Sequence, residues 1–158
     1  MEIKYSVKDK LNLLSHNQWS CGEYLNNTTG FTPTMGGRLS VTDEYNTIGH
    51  KSLKSTTAGS ATSIDMIHVV TEEQIGHTGV VSFDTYSISN FNVYLMFRIG
   101  SSSGSPSIKT SVVVPADKNT HVTLTIPEIL SDTYSIFVRL QSNSNNDLFV
   151  DNFVLNLN

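Results

Sequence analysis

The stretch Phe91-Asn92-Val93-Tyr94-Leu95-Met96-Phe97-Arg98-Ile99 decides the fold. Phe91, Val93, Leu95, Phe97 and Ile99 occupy every second position, and a strand sends successive side chains to opposite faces. One face is therefore large, apolar and uncharged, as packing on a core requires. The other, made of Asn92, Tyr94, Met96 and Arg98, is mixed and suits contact with water or a ligand. Tyr134, Ile136, Val138 and Leu140 repeat the apolar stripe, with Ser135, Phe137, Arg139 and Gln141 opposite. Gly79 to Ile88 alternates as well, setting Val81 and Phe83 against Ser82, Asp84 and Tyr86.

Outward from these strands the chain reads as further short strands and turns. Arg38-Leu39-Ser40-Val41-Thr42 alternates, and a second short piece runs from Gly49 to Ser55. Ile64 to Val70 is β-branched and apolar. Ile108 to Val114 and His121 to Ile126 each stop at a proline, Pro115 or Pro127. Leu148 to Leu157 closes the chain. Ser101 to Ser107 and Ser142 to Asp147 have turn composition, and a loop rich in Asn, Thr and Gly is expected between Trp19 and Gly37. No stretch keeps a helical period. Nine or ten strands separated by turn signals predict an all-β, antiparallel jelly-roll β-sandwich of one domain over residues 12–158, with residues 1–11 as a lead-in segment.

Composition narrows the function. The chain of 158 residues is long enough for one sizeable core. Ten basic against fourteen acidic residues, with no basic run, argue against nucleic acid as a partner. Charged residues are 15% of the chain, below the usual share of about a quarter, while Ser, Thr and Asn supply about a third. Such surfaces are common in secreted, cell-surface and virion β-proteins. Cys21 stands alone, which excludes an internal disulfide and a paired-cysteine metal site. No apolar run approaches the roughly 20 residues of a membrane span, and Met1-Glu2-Ile3-Lys4-Tyr5 has no hydrophobic signal core. An extracellular, cell-surface or virion location is thus expected to come through a longer protein or an assembly.

Asn12-Leu13-Leu14-Ser15, followed by Trp19 and Gly22, resembles the opening of jelly-roll carbohydrate-binding modules of the xylan- and glucan-binding, galactose-binding-like type. Gly49, Ser52, Leu53 and Lys54 resemble their second strand. Leu148-Phe149-Val150-Asp151-Asn152-Phe153-Val154-Leu155 is similar to their last strand, with its Asp-Asn pair. The three matches occur in order along nearly the whole chain. The resemblance implies a possible structural calcium, with Asp151 as a ligand. Ser20 stands where those modules carry a glutamate, so Glu23, Asp43 or Glu44 would have to substitute, because a hard cation wants six to eight oxygens. The competing reading of Asp151 is a carboxylate bonded to backbone amides.

The resemblance also implies sugar binding on one sheet face, through aromatic rings and hydrogen-bonding groups. The candidate ligand-binding residues are Asp84, Tyr86, Tyr94, Met96, Arg98, Phe137, Arg139 and Gln141; in the competing reading Phe137 and Met96 are buried and the charges pair. Trp19 is expected in the core. Tyr24, Phe31 and Tyr45 are loop aromatics at the sandwich edge. Enzyme chemistry finds no support: the five histidines are scattered, no nucleophile elbow occurs, and Glu72 and Glu73 are adjacent rather than facing. The chain is therefore read as a non-catalytic module that holds a larger protein or particle to a polysaccharide or surface glycan. The alternative is a structural sandwich in an adhesin or a viral tail or capsid assembly, binding other domains or subunits.

Overall fold

A computed structural model describes residues 12–34 and 36–158; the lead-in segment lies outside the described residues. Ten strands form two five-stranded antiparallel sheets. The strands are β1 (Phe31–Thr34), β2 (Arg38–Thr42), β3 (Ser52–Thr56), β4 (Thr62–Val69), β5 (Gly79–Tyr86), β6 (Phe91–Ile99), β7 (Pro106–Val114), β8 (Thr120–Ile126), β9 (Thr133–Ser142) and β10 (Leu148–Leu157). One sheet has the order β1-β4-β9-β6-β7 and the other β2-β3-β10-β5-β8. The antiparallel pairs β6·β7, β5·β8, β4·β9 and β3·β10 nest inside one another. This is one long hairpin, turned at β6–β7 and rolled so that alternate pairs fall in opposite sheets, which is the jelly-roll arrangement.

The stripes read from sequence meet between the sheets. Phe91, Val93, Leu95 and Phe97 of β6 and Ile136, Val138 and Leu140 of β9 are buried, facing Val81 and Phe83 of β5 and Val150, Phe153 and Leu155 of β10. Phe83 and Phe153 stack at 4.6 Å. Burial of each such side chain contributes about 1.5–3 kcal/mol. Cys21 joins this core with no exposed surface, and burial pushes its thiol pKa well up.

Two elements differ from expectation. Phe31–Thr34 lies within the predicted loop but pairs with β4 as an edge strand, with Phe31 buried against Phe153. Residues His16–Trp19 form one helical turn, α1, where the first ordered piece of an all-β domain was expected and no helix. Ser15 Oγ accepts the Gln18 amide at 3.2 Å while Gln18 Oε1 accepts the Ser15 amide at 3.1 Å, a reciprocal cap. A turn this short does not stand alone. Gln18 Nε2 anchors it by donating to Gly30 O and Ile67 O.

Candidate functional site

The outer face of the β1-β4-β9-β6-β7 sheet is built by register. Tyr94 of β6 lies beside Arg139 of β9, which lies beside Asp65 of β4 and then Thr32 of β1. The next row carries Asn92, Gln141, Ser63 and Thr34, and the row on the other side carries Met96, Phe137 and Ile67. Six of the eight predicted ligand-binding residues, Tyr94, Met96, Arg98, Phe137, Arg139 and Gln141, thus share one surface. Tyr94, Arg98, Arg139 and Gln141 are half-buried and reachable.

Phe137 and Met96 are not reachable: they are 1% and 5% exposed. The guanidinium of Arg98 lies 5.0 Å from the Phe137 ring centre and that of Arg139 lies 5.8 Å away, so two cations roof the ring. Arg98 is fixed there by donating through Nη1 to Gly104 O at 3.0 Å. Ser135 Oγ, on the same face, is buried and has no hydrogen-bond partner among the described residues. Arg139 in turn donates twice to Asp65, Nε to Oδ1 and Nη2 to Oδ2, each at 2.8 Å. Those hydrogen bonds outweigh the cost of partial burial and raise the guanidinium pKa. A carboxylate as buried as Asp65 requires such a partner. Sequence reading missed Asp65, although a lone acid inside an apolar strand was the available signal.

Beyond Asn92 and Gln141 the face opens into a cavity of about 350 Å³, whose lining includes Asn90, Asn143 and Ser144. The surface therefore combines one accessible tyrosine ring, a fixed cation and a bank of amides and hydroxyls.

Asp84 and Tyr86 belong elsewhere. β5 lies in the other sheet, so both project from the opposite outer surface of the sandwich. Tyr86 OH donates to Asp117 at 2.6 Å and its ring neighbours Tyr45 and Phe149. Asp84 accepts from His121 Nδ1 at 2.6 Å and from Thr47 Oγ1 at 2.5 Å. Burial pushes the Asp84 pKa up, but hydrogen bonds from Thr47, His121 and Asn152 outweigh it and leave it lowered. Alternation tells inside from outside; it does not tell which sheet a strand joins.

The residues that the calcium reading relies on do not converge. Asp151 follows the amide-bonded reading: Oδ2 accepts Thr47 N at 2.7 Å and Ile48 N at 3.0 Å, and Oδ1 accepts Asn152 N at 2.8 Å. Burial raises its pKa, and those three amides oppose the rise. Glu23 Oε1 accepts His50 N at 2.9 Å, Glu44 pairs with Lys54, and Asp43 is exposed. Among the described residues no three His, Cys, Asp or Glu side chains gather as a metal site. This donor set does not fit a hard cation, which needs several charged oxygens turned toward one point.

No family model and no curated protein matches the sequence. Solved structures do match. The second xylan-binding CBM22 domain of Paenibacillus barcinonensis Xyn10C superposes with a TM-score of 0.70 at 12% identity, over 88% of this chain and 98% of that one. The TmCBM61 module, solved with β-1,4-galactotriose, gives 0.58 at 14% identity, over 90% and 96%. The enzymatically active domain of bacteriophage CBA120 tailspike protein 4 gives 0.69 at 14% identity; the match covers 94% of this chain but spans only 22% of that one. Among the described residues no helix is long and apolar enough to cross a membrane. The chain has the β-sandwich fold of carbohydrate-binding modules.

Proposed function

We propose that this chain is a non-catalytic carbohydrate-binding module, acting through the outer face of the β1-β4-β9-β6-β7 sheet on a polysaccharide or surface glycan. The observation that carries the reading is the register row in which half-exposed Tyr94 and Arg139 stand beside the buried Asp65, flanked by Asn92 and Gln141. A tyrosine face packs against a sugar ring, while a fixed guanidinium and amides bond its hydroxyls. Arg139 is held by Asp65 before any ligand arrives, which lowers the ordering cost of binding. The likeness to xylan- and galactan-binding modules supports a β-linked polysaccharide as the ligand class.

Electrophoresis through gels containing soluble xylan, β-glucan or galactan tests this. Retardation in at least one gel is expected, and it should be clearly reduced in Tyr94→Ala at an unchanged melting temperature. Equal mobility in every gel would overturn the reading. A second reading, a structural sandwich within an adhesin or a viral assembly, is favoured by the edge strand β7, where Ile108 and Val113 are each 61% exposed. Concentration-dependent association in light scattering, abolished by Ile108→Ser, would support that role instead.

A further inference from the structure

A cavity of about 530 Å³ lies where α1, the turn after it, the 43–51 loop and the β10 bulge meet, and it shares no residue with the face carrying Tyr94. Its walls are Trp19, His16, Tyr24, Ile48, Glu23 and Asn152. The imidazole of His16 stacks on Trp19 at 4.5 Å and 8°, and on Tyr24 at 3.9 Å and 11°. Two rings in parallel contact with one imidazole must lie on its opposite faces. Trp19 and Tyr24 are therefore the walls of a slot, and His16 is a flat plug within it. We propose that this slot is a second glycan-binding site, which takes one pyranose ring between Trp19 and Tyr24 when His16 swings out.

The surroundings suit that occupant. A pyranose offers two flat C–H faces to parallel aromatic walls and hydroxyls at its rim. Glu23 lies at the rim, with Oε1 bonded to His50 N and no hydrogen-bond partner on Oε2 among the described residues. Its carboxylate crosses directly over Gly49, where a Cβ would sit 2.1 Å from Oε2, so only glycine leaves that carboxylate in place. Ile48 is held by the buried Asp151, and Asn152 adds an amide. His16 is exposed, and the cap of α1 uses Ser15 and Gln18, so the plug can leave without loosening the helix.

The choice of ligand class rests on the carbohydrate-binding reading, but the site has its own reporter, because Trp19 is the only tryptophan. The test is titration of the intact chain with soluble xylo-, gluco- and galacto-oligosaccharides, following tryptophan emission alongside gel retardation. A saturable change in emission is expected. It should persist in Tyr94→Ala, vanish in Tyr24→Ala, whose ring is largely exposed and not needed for folding, and saturate at about fivefold lower ligand in His16→Ala, where no plug competes. Retardation with flat emission in both wild type and His16→Ala overturns this site and leaves the sheet-face reading standing. An emission response with retardation indifferent to Tyr94→Ala does the reverse. Neither response, in any variant, overturns both.

Discussion

Arg139 and Asp65 tie the sheet face to stability through a partly buried ion pair. Truncating Arg139 leaves a buried carboxylate without its partner. Because Arg139 keeps 27% of its side chain exposed, the loss in Arg139→Ala is set somewhat below that of a fully buried pair, at about 2–4 kcal/mol. Urea unfolding measures it, and a change under 1 kcal/mol would show that water replaces the guanidinium. Asp84 gives a pH signature on the other face. Its folded pKa is lowered, so its contribution is fully present above the unfolded aspartate value of about 3.9 and is lost as pH falls through the lower folded value. Asp84→Asn should therefore lower stability at pH 7 and flatten the acid limb of a stability–pH curve; an unchanged limb would contradict the assigned hydrogen bonds. Residue by residue, the sequence shows which way a side chain points and not what covers it. Phe137 sits on the outward register as its alternation predicts, yet two arginines from its own sheet roof it over.

Elements were legible in proportion to their length and apolar content. β6 and β10 have the bounds expected from their patterns. β1 escaped because four residues containing Pro33 carry too little alternation, and its pairing is settled only by the edge it finds on β4. α1 escaped for a related reason: one turn shows no period, and the Ser15/Gln18 cap was its only signature. The anchor predicts a cost. Gln18→Ala removes the side-chain half of the reciprocal cap and the donors to Gly30 O and Ile67 O, so a loss of about 1–3 kcal/mol is expected by chemical denaturation, together with a change in Trp19 emission. A neutral result would mean that α1 is held by packing alone. In β10 the irregularity between Asp151 and Val154, with Asn152 at φ 54°, shifts the inward set from Leu148 and Val150 to Phe153 and Leu155. No run of sequence alternation reveals such a shift in advance.

For the whole molecule, the nested pairing explains why two strands read as neighbours in function lie on opposite surfaces. β5 and β6 are consecutive, but the roll places them in different sheets, which separates Asp84 and Tyr86 from Tyr94 and Arg98. That separation depends on strand order, a global property that no local pattern encodes. The same roll brings Asp84 and Asp151 under the 43–51 loop, where they accept hydrogen bonds from Thr47 and Ile48. The melting temperature is accordingly expected to be the same in EDTA and in added calcium, by calorimetry. A rise with calcium would restore the metal reading.

The bridge between Asn12 and Asn156 has a consequence for how this domain can be rewired. The two ends of the described chain lie side by side, so a short linker from Asn158 to Asn12 would close the backbone into a ring. Opening that ring in the exposed Ser101–Ser103 turn cuts no strand and makes the innermost hairpin the new pair of ends. Such a circular permutant should fold to the same far-UV circular dichroism spectrum, and a module with adjacent ends of this kind can be spliced into a surface loop of a host protein without prying the host apart.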